Sequence, residues 1–337
     1  MRLSSLLLTA AAGSLIAAAA IAQQAEEPPA KSGGLSDLQG TVEGLEDQPA
    51  SEPMPEAAPE TGTPAPAPAP APEPRPTTPA PPAPPVTPAQ AAHLDQAVAR
   101  GRQLIAIARA GILSTQDMLS RVTDPDAAGI AGWIAEPQGN AMLVTFYADG
   151  DSGPAAVYRA EILGPRVVSR ETFLDPAARP ALTPIQARMA RARAATDGLD
   201  HQACSTQPFN VFVIPPASAD APIDVYQVSA PTQRGRYPLG GHFKSTIAAD
   251  GSVASSRGFT SACVDIEAPP VPEGQQPRPI AVTHILDPLP TEIHVFLSLW
   301  VGRPLIVATG EPERLWAVTG ERIADIRQRP QQAPQGR

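Results

Sequence analysis

Three histidines and two carboxylates are the residues of this chain best suited to chemistry. His284, Asp287, Glu292 and His294 lie in the stretch Thr283–Trp300, and His242 follows the pair Gly240-Gly241 upstream. Imidazole and carboxylate together suit zinc or another divalent ion. Read as a strand, the stretch would point Glu292 and His294 to the same face, because side chains alternate with a period of two. The spacing closes no ligand motif, so the expectation is a set of hydrogen-bonded structural histidines with no cofactor. A divalent metal is the alternative.

Other catalytic patterns are weaker. A His-Glu-x-x-His helix is absent. The His-x-His-x7-Ser-x2-Asp signature of JAMM-type metallopeptidases is not met, since Leu286 stands where its second histidine should be. No Gly-x-Ser-x-Gly elbow occurs, and Ser245, Ser252, Ser255 and Ser256 fall in or beside an expected hairpin. Asp287 and Glu292 are a carboxylate pair of the kind glycosidases use, but Asp287-Pro288 is also an ordinary turn former. No phosphate-cradling glycine loop appears; Gly240-Gly241 fits a turn or a close backbone approach. Tyr237, Phe243, Phe296 and Trp300 are expected in the core, or else along a small groove.

The elements that would position these residues begin far into the chain. Of the 337 residues, 43 are proline, many of them between Pro28 and Pro88, whereas all fourteen aromatics lie at or beyond Trp133. A segment without aromatics or hydrophobic period cannot bury enough apolar surface to offset its ordering entropy. Residues 23–89 therefore read as a disordered linker, acidic and then Pro/Ala-rich. The Pro64–Pro88 part favours polyproline II, a semi-rigid arm reaching on the order of 75 Å. Nine acidic residues against Lys31 between Gln23 and Glu60 account for most of the net charge of −9. The rest is nearly neutral, which argues against a nucleic-acid footprint.

Met1-Arg2, an apolar run from Leu6 to Ala20, and Ala20-Ile21-Ala22 have the layout of a signal peptide over residues 1–22. The run is short for a membrane span. Cleavage after Ala22 would leave no stable span and a periplasmic or secreted protein; retention would give an inner-membrane-anchored, periplasm-spanning one. In an oxidising compartment the two cysteines, Cys204 and Cys263, are expected to join.

The globular part is expected at 90–326, with a sub-boundary considered near 198–208 and a disordered tail at 327–337. Its class is α+β: an N-terminal helical segment, an antiparallel meander, a connecting helix and a larger disulfide-stapled antiparallel unit. Leu94, Val98, Ile105 and Ile112 share one helix face, and Gly111 with Ser114 predicts a break there. Alternating runs between Trp133 and Val168, separated by Gly/Asn/Asp turns, give the meander. Thr183-Pro184 starts a helix whose Arg188, Arg191 and Arg193 are expected to face solvent. Asp250-Gly251 marks a hairpin. The apolar run Phe296–Trp300 is read as strand-like. With a leader, a spacer and no catalytic motif, the expected role is a non-catalytic binding or interaction module with a protein or cell-wall partner. A metal-dependent envelope hydrolase using His284 and His294 is the rival.

Overall fold

The computed structural model describes residues 84–231, 235–268, 271–272, 274–310 and 314–326. The leader, most of the linker and the tail expected from the sequence lie outside them. The first element is a helix, α1 (Pro88–Leu119), opened by a capping box in which the Gln90 amide donates to Thr87 Oγ1 and the Thr87 amide to Gln90 Oε1. It runs unbroken through Gly111. The hydroxyls of Ser114 and Thr115 fold back onto the Gly111 carbonyl at 3.1 and 2.7 Å, satisfying themselves within the helix. Gly111 is there for space: a Cβ would lie 2.6 Å from the Trp133 ring. The expected break is thus a packing glycine.

The meander forms as the alternation predicts: β1 (Ile130–Gln138), β2 (Ala141–Ala148), β3 (Ala155–Leu163) and β4 (Arg166–Thr172), antiparallel in that order. The second helix, α2 (Pro184–Ala194), starts with a Thr183/Gln186 capping box. Its arginines do not form a solvated face. Arg193 is buried, and Arg188 donates to the carbonyls of Ala219 and Ala221. Only Arg191 is left exposed.

A second four-stranded antiparallel sheet contains β5 (Asn210–Val213), β6 (Ile223–Val228), β8 (Phe243–Ile247) and β9 (Val253–Gly258), with β9 at an edge. A short pair, β7 (Arg236–Pro238) with β10 (Asp265–Glu267), stands beside the Cys204–Cys263 disulfide loop closure. The two large β blocks are therefore separate sheets.

The third sheet is β11 (Ile280–His284), β12 (Leu305–Thr309), β13 (Arg314–Val318) and β14 (Ile323–Asp325). Here the wholly antiparallel expectation gives way, because β11 and β12 run parallel. Parallel neighbours need a crossover, and it is supplied by α3 (Glu292–Val301), the run read from sequence as a strand. Ile293 to Ser298 are all buried, so no face of this helix shows the polar alternation that would have betrayed its period. Its end is set by Gly302, whose φ of 68° places it in the left-handed region favoured at a helix C-terminus.

One core spans most of these elements. Leu104, Ile107 and Met118 of α1 pack with Phe146 and Tyr158 of the meander, Phe212 and Tyr226 of the second sheet, Phe296 of α3 and Trp316 of the third sheet. A second cluster sits under α2, where Met189 and Ala192 cover Val211, Val225 and Ile247. Among the described residues no helix is long and apolar enough to cross a membrane.

Candidate functional site

The five residues singled out by type do not form one ligand shell. His242 is wholly buried and both its nitrogens are occupied: the Ser229 amide donates to Nδ1 at 3.2 Å and Nε2–H donates to the Pro238 carbonyl at 3.1 Å. Burial pushes its pKa down to about 4, so it is a neutral structural imidazole. The preceding Gly241 takes a φ of 68°, and a Cβ there would lie 2.5 Å from the Cys204 amide nitrogen. The Gly-Gly pair thus serves the disulfide neighbourhood.

His284, Asp287 and His294 do come together. His284 closes β11, and its Nε2 bonds Asp287 Oδ2 at 2.9 Å. Asp287 is in turn gripped by Arg257 of β9, with Nη1 and Nη2 at 2.8 and 2.5 Å from its two oxygens. The carboxyl is held below its usual range by the hydrogen bonds and charges of Arg257 and His284, which outweigh the upward push of burial. The His284 and His294 rings meet edge to face, centroids 4.6 Å apart.

His294 sits at the third position of α3, where a capping box places an acceptor. Its Nδ1 accepts from the Thr291 amide at 3.0 Å, and the Thr291 hydroxyl lies 3.1 Å away. Burial first, and then the neighbouring His284, push its pKa down to about 3. On a helix, Glu292 and His294 do not share a face. Glu292 instead accepts from Tyr226 Oη at 2.8 Å, and burial together with that carboxylate pushes the phenol far up. No group of three or more His, Cys, Asp or Glu side chains is arranged to hold a metal among the described residues. What this cluster does physically is tie β6, β9 and β11 to the start of α3.

Open space lies elsewhere. A groove of about 760 Å³ runs between the second half of α1, the tips of the meander and the end of α3. Its floor is Ile105 and Ile112 of α1, and its walls include Met142, Ile162, Leu299 and Trp300. Trp300 is braced by stacking on Phe296 at 5.5 Å. Tyr237 lines the same groove, so it and Trp300 both face this space, while Phe296 is buried. The polar groups are few: Arg109, Gln116 and the Asn140 turn. Arg109 is exposed and has no ion-pair partner among the described residues.

Ala106, Arg109, Leu113 and Gln116 recur at three and four residues, which is one stripe of α1. The face singled out from the sequence is a different one, through Leu94, Val98, Ile105 and Ile112, although the spacing of this stripe can be read there too. Its meaning cannot, because the other walls come from residues distant in the chain. Compared with known proteins, the chain matches no family model, no curated protein and no solved structure.

Proposed function

We propose that the chain is an exported binding module. Its ligand is an amphiphile with an apolar tail and one anionic group, taken up in the groove between α1 and Trp300. The observation that carries this reading is the groove itself, about 760 Å³ of mostly apolar surface with a single cation, Arg109, at its edge. Small-molecule sites are typically concavities of ~300–1,000 Å³, lined by apolar and aromatic side chains with a few polar groups that fix orientation. An apolar tail would displace water from Ile105, Ile112, Leu113 and Leu299. A carboxylate or sulfate would find in Arg109 a guanidinium not committed to an acid of the described residues.

Export is supported by the leader-like start and by the Cys204–Cys263 disulfide, which belongs with an oxidising compartment. The proline-rich arm would then hold the module away from its point of attachment or from neighbouring domains. Calorimetric titration with decanoate tests the reading. Saturable one-to-one binding that weakens in Arg109→Ala supports it. A protein that takes up no decanoate or dodecyl sulfate refutes it.

A further inference from the structure

A second constellation, outside the groove and the His284 cluster, has the connectivity of a nucleophile with its base. Ser256 is exposed on the edge strand β9, and its Oγ lies 2.8 Å from His201 Nε2. His201 Nδ1 lies 2.5 Å from Gln227 Oε1. The orientation of the Gln227 amide is fixed at its other end. Its Nε2 donates to the Thr196 carbonyl at 3.3 Å, and a carbonyl can only accept. Oε1 therefore faces the imidazole and also can only accept, so the proton of a neutral His201 sits on Nδ1. Nε2 is then the acceptor, and the Ser256 hydroxyl is its donor. Gln227 is itself buried. The ring is clamped from the side by Phe243, stacked at 4.1 Å with the planes 6° apart. The buried Ser245, directly opposite Ser256 in register, places its hydroxyl 3.0 Å from Ser256 Oγ.

We infer that Ser256 is a nucleophile activated by His201, with Gln227 as the positioning residue, and that it attacks carboxylic esters. The order of nucleophile, base and orienting group is the one that activated serines require. In the first step Ser256 Oγ forms a bond to the ester carbonyl carbon while its proton passes to His201 Nε2. The carbon–oxygen bond to the alcohol then breaks, and the alkoxide takes that proton. Water repeats the sequence, with His201 accepting its proton and returning it to Ser256 Oγ as the acid leaves. Gln227 fixes the tautomer as a carboxylate would, but it carries no charge to stabilise the imidazolium. That restricts the site to leaving groups needing little protonation, hence esters rather than amides.

The test uses the full chain, a fluorophosphonate probe and p-nitrophenyl acetate. The label is expected on Ser256 and not on Ser252 or Ser255 when the modified peptide is sequenced by mass spectrometry. His201→Gln, checked for an unchanged melting temperature, should slow labelling about a hundredfold, the lower end of what a positioned base contributes. Added imidazole should restore part of the labelling in His201→Ala. Gln227→Leu should lower kcat for p-nitrophenyl acetate and leave KM alone. Labelling that is absent, spread over the hairpin serines or indifferent to His201 would overturn the assignment. A KM change without a kcat change would remove Gln227 from it.

Discussion

A Cβ placed on Gly101 of α1 would lie 2.5 Å from the Val295 Cβ and 2.7 Å from the backbone oxygen of Glu292. The two helices that carry the groove and the histidine cluster thus touch at a point where only glycine fits. Alanine is the better helix former by about 1 kcal/mol. Overpacking against a backbone atom costs more, about 1–3 kcal/mol, because a carbonyl cannot swing aside as a side chain end can. Gly101→Ala is therefore expected to lower stability in a urea titration despite its propensity gain. An increase in midpoint would show that α1 and α3 are further apart than described.

The disulfide carries a separate expectation. Cys204 and Cys263 are 59 residues apart, and closing a loop of that size restricts the unfolded chain by roughly 4 kcal/mol in the entropy model. Replacing both by alanine should cost stability of that order under oxidising conditions. The same variant should match the parent protein once the parent is reduced. Equal stability of variant and oxidised parent would contradict the staple.

Two buried imidazoles make the protein acid-sensitive. The folded-state values of His242 and His294, about 4 and about 3, lie below the unfolded value of about 6.5. The unfolded chain therefore binds protons first as pH falls. The stability these residues support is fully present above about pH 6.5 and is lost between there and their folded-state values. Asp287 acts in the same direction at lower pH, since its carboxyl is also depressed. The melting temperature should fall steadily from pH 7 to pH 4, while a flat profile would mean that neither histidine is buried neutral.

Much of this architecture was legible because local chemistry and tertiary packing agree. The meander follows its alternation, Thr87 and Thr183 cap as their types suggest, and Asp250-Gly251 turns the β8–β9 hairpin. The failures have a common cause. Glu292–Val301 is buried on nearly every side, so it shows no helical stripe, and its local marks are confined to its ends, Thr291 before it and Gly302 after it. Gly111 looked like a breaker because Trp133 is not its sequence neighbour. Arg193 looked solvated because the residues it lies beside, Gly132 of β1 and Tyr147 of β2, are distant from it in sequence. The site suffered most. His284 and Asp287 were found as a pair, but Arg257, which binds that carboxylate, lies 30 residues away on another sheet. The groove draws its walls from α1, two hairpin tips and α3, so no single stretch of sequence announces it.

The direct test of the central claim is calorimetric titration of the oxidised protein with decanoate, run beside Ala106→Trp and Arg109→Glu. Ala106 lines the groove without supporting the core, so tryptophan there fills the space and should leave the melting temperature nearly unchanged. Reversing the charge at Arg109 removes the cation and repels the carboxylate. The account predicts saturable binding to the parent, loss in Ala106→Trp and at least tenfold weakening in Arg109→Glu. Binding that survives both substitutions, or a parent protein that binds no decanoate, would contradict it.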